Sequence, residues 1–446
     1  MTLSEAILLP CGLRYMVDAL DIRSGVARHA LLNQEMCTDP TQLQAVYNQL
    51  SKWTTLLHSS NAIPHVRTIQ FRLQALKDLH TTLTNLTSHR VLDDIELFEV
   101  KHLALLSLDI KRELDALHVD FLSMQMEEVV QILDPDGMQV GTFYVYESYS
   151  PLLPVLHRQL EQNPHNEQAF LALEEEELRI RTQLSEQLRH YANNLNTILS
   201  CLIDLDICLA KAGQIVHSHL CLPQLTNNVS RLNEMWNPEV KAAVEHRGNT
   251  YRTVNIQFGN SPVVITGSNM GGKTVVLKTV ALCQLLAQFG FGIPAQSAEI
   301  VLRQSLYYCM TDGQSVESGL SSFAAEMKQI DAVIKAARRG ENLLALIDEP
   351  ARTTNPTEGT ALVSGLIKTL QTMPIGVLLV THYTICASAH ACSCLRVRGM
   401  NNGMMDYTLI QAKEGEVPHE ALTIARQLGV DGEWLNNTKE YENRQY

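Results

Sequence analysis

The chain has 446 residues, 45% of them hydrophobic, which is enough for the cores of two or three globular domains. Thirty-five basic residues against 48 acidic ones leave a formal charge of −13. This balance, with no dense Lys/Arg run, weighs against a protein whose main affinity is nonspecific neutralisation of nucleic-acid phosphates. The sequence has no uncharged apolar run of about 18 residues, and its N-terminus has no basic region ahead of an apolar core. Neither a membrane span nor a secretory signal is expected. The ten cysteines are scattered without a disulfide-like framework, as expected for reduced thiols in a cytoplasmic protein. His390, Cys392 and Cys394 lie close together, but Cys-x-Cys is not a usual zinc spacing.

In chain order, the first long feature is the stretch between Pro64 and Pro135, which contains neither Gly nor Pro. The stretch between Pro164 and Gly213 shares this property. Both are rich in Leu, Glu, Gln and Arg and predict long helices. The second carries Leu184, Leu188, Tyr191, Leu195, Ile198, Leu202, Leu205 and Leu209 at alternating spacings of four and three. Such a heptad makes one apolar seam, and a single helix of that length would span on the order of 70 Å. It reads as a lever, with an ordinary bundle helix as the alternative. Between the two stretches, Leu133 to Gly137 predicts a turn and Thr142 to Tyr146 a strand. From about Tyr251 the pattern changes to strands alternating with helices, the grammar of a largely parallel sheet. We therefore place a helical domain at 1–235 and an α/β domain with a helical tail at 236–446.

Within the α/β part, Pro262 to Thr266 reads as a buried strand and Val275 to Phe289 as a helix. Between them stand Gly267, Ser268, Asn269, Met270, Gly271, Gly272, Lys273 and Thr274, matching the phosphate-loop pattern G-x-x-x-x-G-K-[ST]. Backbone N–H groups and the helix dipole favour phosphates there, Lys273 adds a full charge, and Thr274 offers a hydroxyl to Mg²⁺. A glycine-rich turn with an incidental lysine is the alternative.

Three further motifs follow. The small, hydroxyl-rich turn from Ser318 through Gly319 and Ser321 to Phe323 opens a helix, another arrangement that seeks anions. Because one nucleotide does not need two such sites from one subunit, this turn reads as a cap over the nucleotide of a second subunit; a plain Ser-type N-cap is the alternative. The apolar run Leu343 to Ile347 ends in Asp348-Glu349, where the first carboxylate would hold Mg²⁺ and the second would polarise the attacking water. The run Val377 to Val380 ends in Thr381-His382, and a histidine at that sheet edge would sense the γ-phosphate unless it is merely a surface residue after a strand.

The phosphate loop, the Ser-Gly-x-Ser-x-Phe turn, the Asp-Glu pair and Thr381-His382-Tyr383, in this order, resemble the ATPase domain of the MutS family, an ABC-type branch. Thr266 to Thr274 resembles the family's T-G-x-N-M-G-G-K-[ST], Ile293-Pro294-Ala295 its V-P-A step, and His419 to Gly429 its closing helix. The resemblance implies an α plus α/β fold, in which a helical core or lever domain precedes a P-loop ATPase domain. It implies ATP and Mg²⁺ as ligands, with Asn269, Gly272 and Lys273 on the phosphates and Thr274 and Asp348 serving the metal. Glu349 would activate water, His382 would read the γ-phosphate, and Ser321 would reach the partner's ATP across a homodimer or a heterodimer with a sister subunit. Closure of the two sites would swing the helical domains, in a protein of the mismatch-repair type that binds DNA.

The sequence departs from mismatch-reading members in several places. It contains no Phe-x-Glu wedge, it is expected to lack their N-terminal reading domain, and it is expected to lack the nuclease-type C-terminal extension of another branch. Leu320 replaces a customary arginine. Pro350-Ala351-Arg352-Thr353-Thr354 stands where mismatch-repair members are rich in glycine. The run Asp348 to Gly359 also resembles MutS-related proteins linked to reactivation of a cobalamin-dependent lysine 5,6-aminomutase. An ATP-driven remodeller of such an enzyme is therefore the alternative to a DNA machine. A small-molecule kinase fits less well, since it would have no use for the Ser318–Phe323 turn or a lever.

Overall fold

The computed structural model describes residues 1–120, 126–139, 142–267, 272–309, 322–383, 392–401, 404–412, 425 and 429–442. The chain forms two compact units: one comprises Met1–Leu20, Glu35–Asn48 and Gln214–Tyr446, the other Asp21–Gln34 and Gln49–Gly213. The division is not a single cut near residue 235, because two N-terminal segments cluster with the C-terminal half.

The second unit is helical, but its helices are shorter than the Gly/Pro-free stretches predict. The stretch from 64 to 135 breaks into Ile63–Leu73, His80–Thr87, Asp94–Ala116 and Met126–Leu133 among the described residues. Aspartates rather than Gly or Pro stand at the first two breaks. Asp78 accepts from the His80 N–H at 3.0 Å. Asp93 accepts from the Glu96 N–H at 2.8 Å while the Glu96 carboxylate accepts from the Asp93 N–H at 3.0 Å, a reciprocal cap that starts a new helix. The heptad stretch likewise divides into Glu167–Arg189 and Ala192–His217. At the junction, i→i−3 bonds from His190 N–H to Gln187 and from Tyr191 N–H to Leu188 tighten the backbone. The seam survives the break: Leu184, Leu188, Leu195, Ile198, Leu202, Leu205 and Leu209 are all buried. Tyr191 is the exception, its phenol donating outward to Glu128 at 2.6 Å.

Thr142 to Tyr146 forms no strand among the described residues. Its function in the fold is to deliver Tyr146, whose buried hydroxyl accepts from Lys101 Nζ at 2.8 Å. Lys101 in turn lies 3.4 Å from Asp134, and both side chains are wholly buried. Asp134 is completed by the N–H groups of Met138 and Gln139, so the ion pair is surrounded by hydrogen bonds.

The first unit carries two sheets. Its strands are β1 (Gln224–Thr226), β2 (Ser230–Met235), β3 (Val254–Phe258), β4 (Pro262–Thr266) and β5 (Ser297–Val301), then β6 (Ser305–Cys309), β7 (Leu343–Asp348), β8 (Gly376–Thr381), β9 (Ser393–Asn401) and β10 (Met404–Gln411). The smaller sheet has the order β1-β5-β2-β3 and the larger β10-β9-β4-β8-β7-β6. In the larger sheet all neighbours are parallel except β10, which runs antiparallel to β9. The three apolar runs read from the sequence become β4, β7 and β8, buried on both faces as central parallel strands are. The helix Lys273–Gln288 is buried almost all round, and the helices Ser322–Arg338 and Pro356–Leu370 pack on the sheet through Val333, Ala336, Val363 and Ile367.

The sheet is levelled from its far end. Arg303, buried between β5 and β6, donates to Asn260 just before β4 and to Asn342 just before β7, each at 2.8 Å. Its guanidinium also presses on Gly376 at the start of β8, where an added Cβ would stand 3.0 Å away. One side chain therefore aligns the N-terminal ends of three strands. The register carries that alignment to the opposite edge, where Thr266 pairs with Thr381 and Asp348 with Val380.

Candidate active site

At the C-terminal edge of the sheet, β8 lies between the strand that leads into the loop and the strand that ends in the carboxylates. This spacer keeps Lys273 and Asp348-Glu349 one strand apart and on the same rim, the position where open α/β sheets bind ligands. Gly267 and Gly272 take positive φ of 143° and 69°. Gly272 has a second reason to be glycine, since a Cβ there would stand 2.9 Å from the Tyr407 ring. Gly272 also forms the N-cap of the helix that begins at Lys273, and a helix N-terminus is an end that favours anions. Ser268, Asn269, Met270 and Gly271 lie outside the described residues, as do Ser318, Gly319 and Ser321.

The remaining sequence candidates converge. Lys273 is buried, with Nζ donating to the Gly267 carbonyl at 2.7 Å and lying 3.7 Å from Glu349. Thr274 donates its hydroxyl to Asp348 Oδ2 at 2.8 Å. The other oxygen, Asp348 Oδ1, is buried and has no hydrogen-bond partner among the described residues. Burial pushes the Asp348 carboxyl above the ordinary range and the adjacent Glu349 charge adds to this, against the Thr274 hydrogen bond. A desolvated carboxylate oxygen beside a threonine hydroxyl fits a hard divalent cation with oxygen ligands.

Glu349 is nearly buried and faces three basic side chains: Arg352 at 3.6 Å, Lys273 at 3.7 Å and His382 at 3.8 Å. None is within hydrogen-bond range, and the Lys273 and Arg352 charges hold the carboxylate electrostatically. His382 is partly exposed and lies against Tyr383, ring centroids 4.3 Å apart.

One part of the site escaped sequence reasoning. A cavity of about 560 Å³ opens beside Gly272 and the first turn of its helix. Val240, Val244, Tyr251, Arg252, Val276 and Tyr407 line it. Tyr251 is anchored by the Asn237 N–H, which donates to its hydroxyl at 3.0 Å. An aromatic and an arginine just before β3 were the only local signal, and Tyr407 arrives from β10 with none.

Comparison with known proteins agrees with this geometry. Residues 263–414 match the family of MutS domain V. The chain is 31% identical over 295 residues to Endonuclease MutS2 of Lactobacillus acidophilus, covering 62% of this chain and 35% of that protein. Endonuclease MutS2 of Caldanaerobacter subterraneus subsp. tengcongensis is 29% identical with the same coverage. That of Finegoldia magna is 31% identical over 292 residues, again 62% of this chain and 35% of the relative. The chain thus spans about a third of the length of these curated relatives. Lys273, Asp348, Glu349 and His382 all lie within residues 263–414, the part of the chain that belongs to the MutS domain V family.

Proposed function

We propose that the chain is an Mg²⁺-dependent ATPase that works as a cytoplasmic dimer. The observation that carries this reading is the convergence of Lys273, Thr274, Asp348, Glu349 and His382 on one sheet edge, with Asp348 Oδ1 buried and unpartnered. Thr274 and Asp348 would hold the metal, which supplies charge neutralisation on the phosphate oxygens when bound. The Lys273 amine and the first-turn N–H groups would take the β- and γ-phosphates, and the cavity beside Gly272 would take the base against Tyr251 and Tyr407. Glu349 would orient the attacking water and accept its proton, and His382 would sense the γ-phosphate. The Ser318–Phe323 turn would complete the partner's site, so that binding of two ATP molecules closes the dimer and moves the helical domain as a lever.

Glu349→Gln tests the chemistry. It keeps the shape and removes the base, so it should bind ATP with near-normal affinity, hydrolyse it about 10²- to 10⁴-fold more slowly and trap a dimer in gel filtration. Normal turnover would remove Glu349 from the role given to it.

For the biological target, we favour DNA, in keeping with the mismatch-repair type and with relatives named endonucleases. The net charge of −13 favours a second reading, an ATP-dependent remodeller acting on a protein such as a cobalamin-dependent lysine 5,6-aminomutase. Purification on an affinity tag with the Glu349→Gln protein and ATP separates them: recovery of nucleic acid alone supports the first, and recovery of a partner enzyme without nucleic acid supports the second.

A further inference from the structure

Beyond the strand that ends at Asp348, the backbone does something that neither the phosphate loop nor the Asp-Glu pair requires. Glu349 and Ala351, neither of them glycine, both take left-handed conformations, with φ of 47° and 62°. Between them stands Pro350, which has no N–H to offer. The Glu349 N–H still bonds to the Val380 carbonyl at 2.9 Å, extending the β7–β8 ladder by one residue, and the chain then turns sharply. Left-handed backbone at residues with a Cβ persists only where the surroundings over-determine it.

The surroundings meet at Ala351, which is 1% exposed. Its N–H donates to Glu326 Oε1 at 2.9 Å, and its carbonyl accepts from the Tyr383 hydroxyl at 2.7 Å. The same carbonyl also accepts from the Thr354 N–H at 3.2 Å. Glu326 and Tyr383 are themselves buried, so neither hydrogen bond is shared with solvent. The Tyr383 hydroxyl is fixed from behind by Gly359, where any Cβ would come within 2.2 Å of it. Glu326 lies in the helix Ser322–Arg338, whose first residues end the hydroxyl-rich Ser318–Phe323 sequence, and Tyr383 immediately follows His382. Each arm that grips Ala351 is therefore next to a segment assigned to nucleotide, and the peptide they grip is two residues from Glu349.

We propose that Glu326 and Tyr383 are positioning residues that clamp Ala351 from its two sides and thereby set where the Glu349 carboxylate stands. The idea rests on Glu349 as the water-orienting group. Through the clamp, displacement of the helix after the Ser318–Phe323 turn, or of the His382–Tyr383 segment, reaches Glu349 by way of one peptide unit. Hydrolysis becomes conditional on both segments being in place.

The test compares Glu326→Ala, Glu326→Gln, Tyr383→Phe, the Glu326→Ala/Tyr383→Phe double variant and Ala351→Gly. ATP turnover, affinity for a fluorescent ATP analogue and thermal midpoint are measured for each. Glu326→Gln retains an acceptor oxygen for the Ala351 N–H, and Tyr383→Phe removes one hydroxyl and nothing else. Expected are kcat losses of about 10- to 100-fold for Glu326→Ala and Tyr383→Phe, with analogue affinity changed by less than about twofold. Glu326→Gln should recover most of the activity. The double variant should be no slower than the slower single one, because both arms act through the same peptide. Ala351→Gly fits the left-handed backbone without strain, so it should fold at least as stably and still lose activity, the frame around Glu349 having slackened. Single losses that multiply in the double variant, or losses that follow the fraction of unfolded protein, would overturn the clamp. An inactive Glu349→Gln beside fully active Glu326→Ala and Tyr383→Phe would overturn it alone, whereas an active Glu349→Gln would overturn the underlying reading and the clamp with it.

Discussion

Asp348 is poorly served by its own surroundings. One oxygen accepts from Thr274, the other is buried without a partner, and burial raises the folded-state pKa above the unfolded value. The fold therefore favours the protonated acid. The ionised side chain detracts from stability at neutral pH, and that cost fades as the pH falls through the raised folded-state value. Asp348→Asn should accordingly raise the thermal midpoint of the ligand-free protein by about a few degrees at pH 7. The gain should shrink toward acid pH, and Mg²⁺-dependent turnover should be lost. Differential scanning fluorimetry across pH, with a phosphate-release assay, checks both parts, and a lowered midpoint at pH 7 would contradict the account. Such a trade between stability and activity is expected where a charge is kept for a ligand. That Asp348, Glu349 and His382 stand at the sheet's edge was legible in the sequence because each follows an apolar run, and a run of that kind announces its own C-terminal edge. Tyr251, Arg252, Tyr407 and Glu326 were not, since each owes its place to elements far away in the chain.

The strands of the larger sheet could be read locally because central parallel strands are apolar on both faces, and β4, β7 and β8 are. Helix boundaries could not. The absence of Gly and Pro suggested long helices, but Asp78, Asp93 and the His190–Tyr191 junction end them through hydrogen bonds that propensity does not record. The strand expected at Thr142 to Tyr146 failed for a related reason, since Tyr146 is used to wall in Lys101 rather than to pair. In sequence Lys101 looks like any helical surface lysine, yet its ammonium is buried against Asp134 and Tyr146. Lys101→Ala should cost roughly 3–5 kcal/mol in urea unfolding, because Asp134 is left as an uncompensated buried charge. Lys335→Ala breaks an exposed pair with Asp331 and should change stability by no more than about 0.5 kcal/mol. Equal costs for the two would mean that Asp134 is relieved by some other group.

For the whole molecule, the sharing of sites between subunits is the proposal with the widest consequences. A Lys273→Ala subunit mixed with a Ser321→Ala subunit forms one composite site that keeps both residues and one that keeps neither. If Ser321 acts on the partner's nucleotide, an equimolar mixture, half of whose dimers are mixed and carry one working site of two, should recover about a quarter of the wild-type turnover per dimer, where each variant alone has little. A mixture no more active than its components would place Ser321 in its own subunit's site or in none. The sequence by itself determined the parallel sheet, the strand before Gly267 and the helix after Gly272, and the residues at the strand ends, because strand burial, glycine-permitted turns and helix N-termini are local properties. Tertiary structure alone decided the rest. It set which segments share a compact unit, how Arg303 levels three strands at once, which ring closes over Gly272, and how Ala351 is gripped from two sides. Each of these depends on groups many residues apart meeting within hydrogen-bond or van der Waals distance, and no local pattern encodes such a meeting.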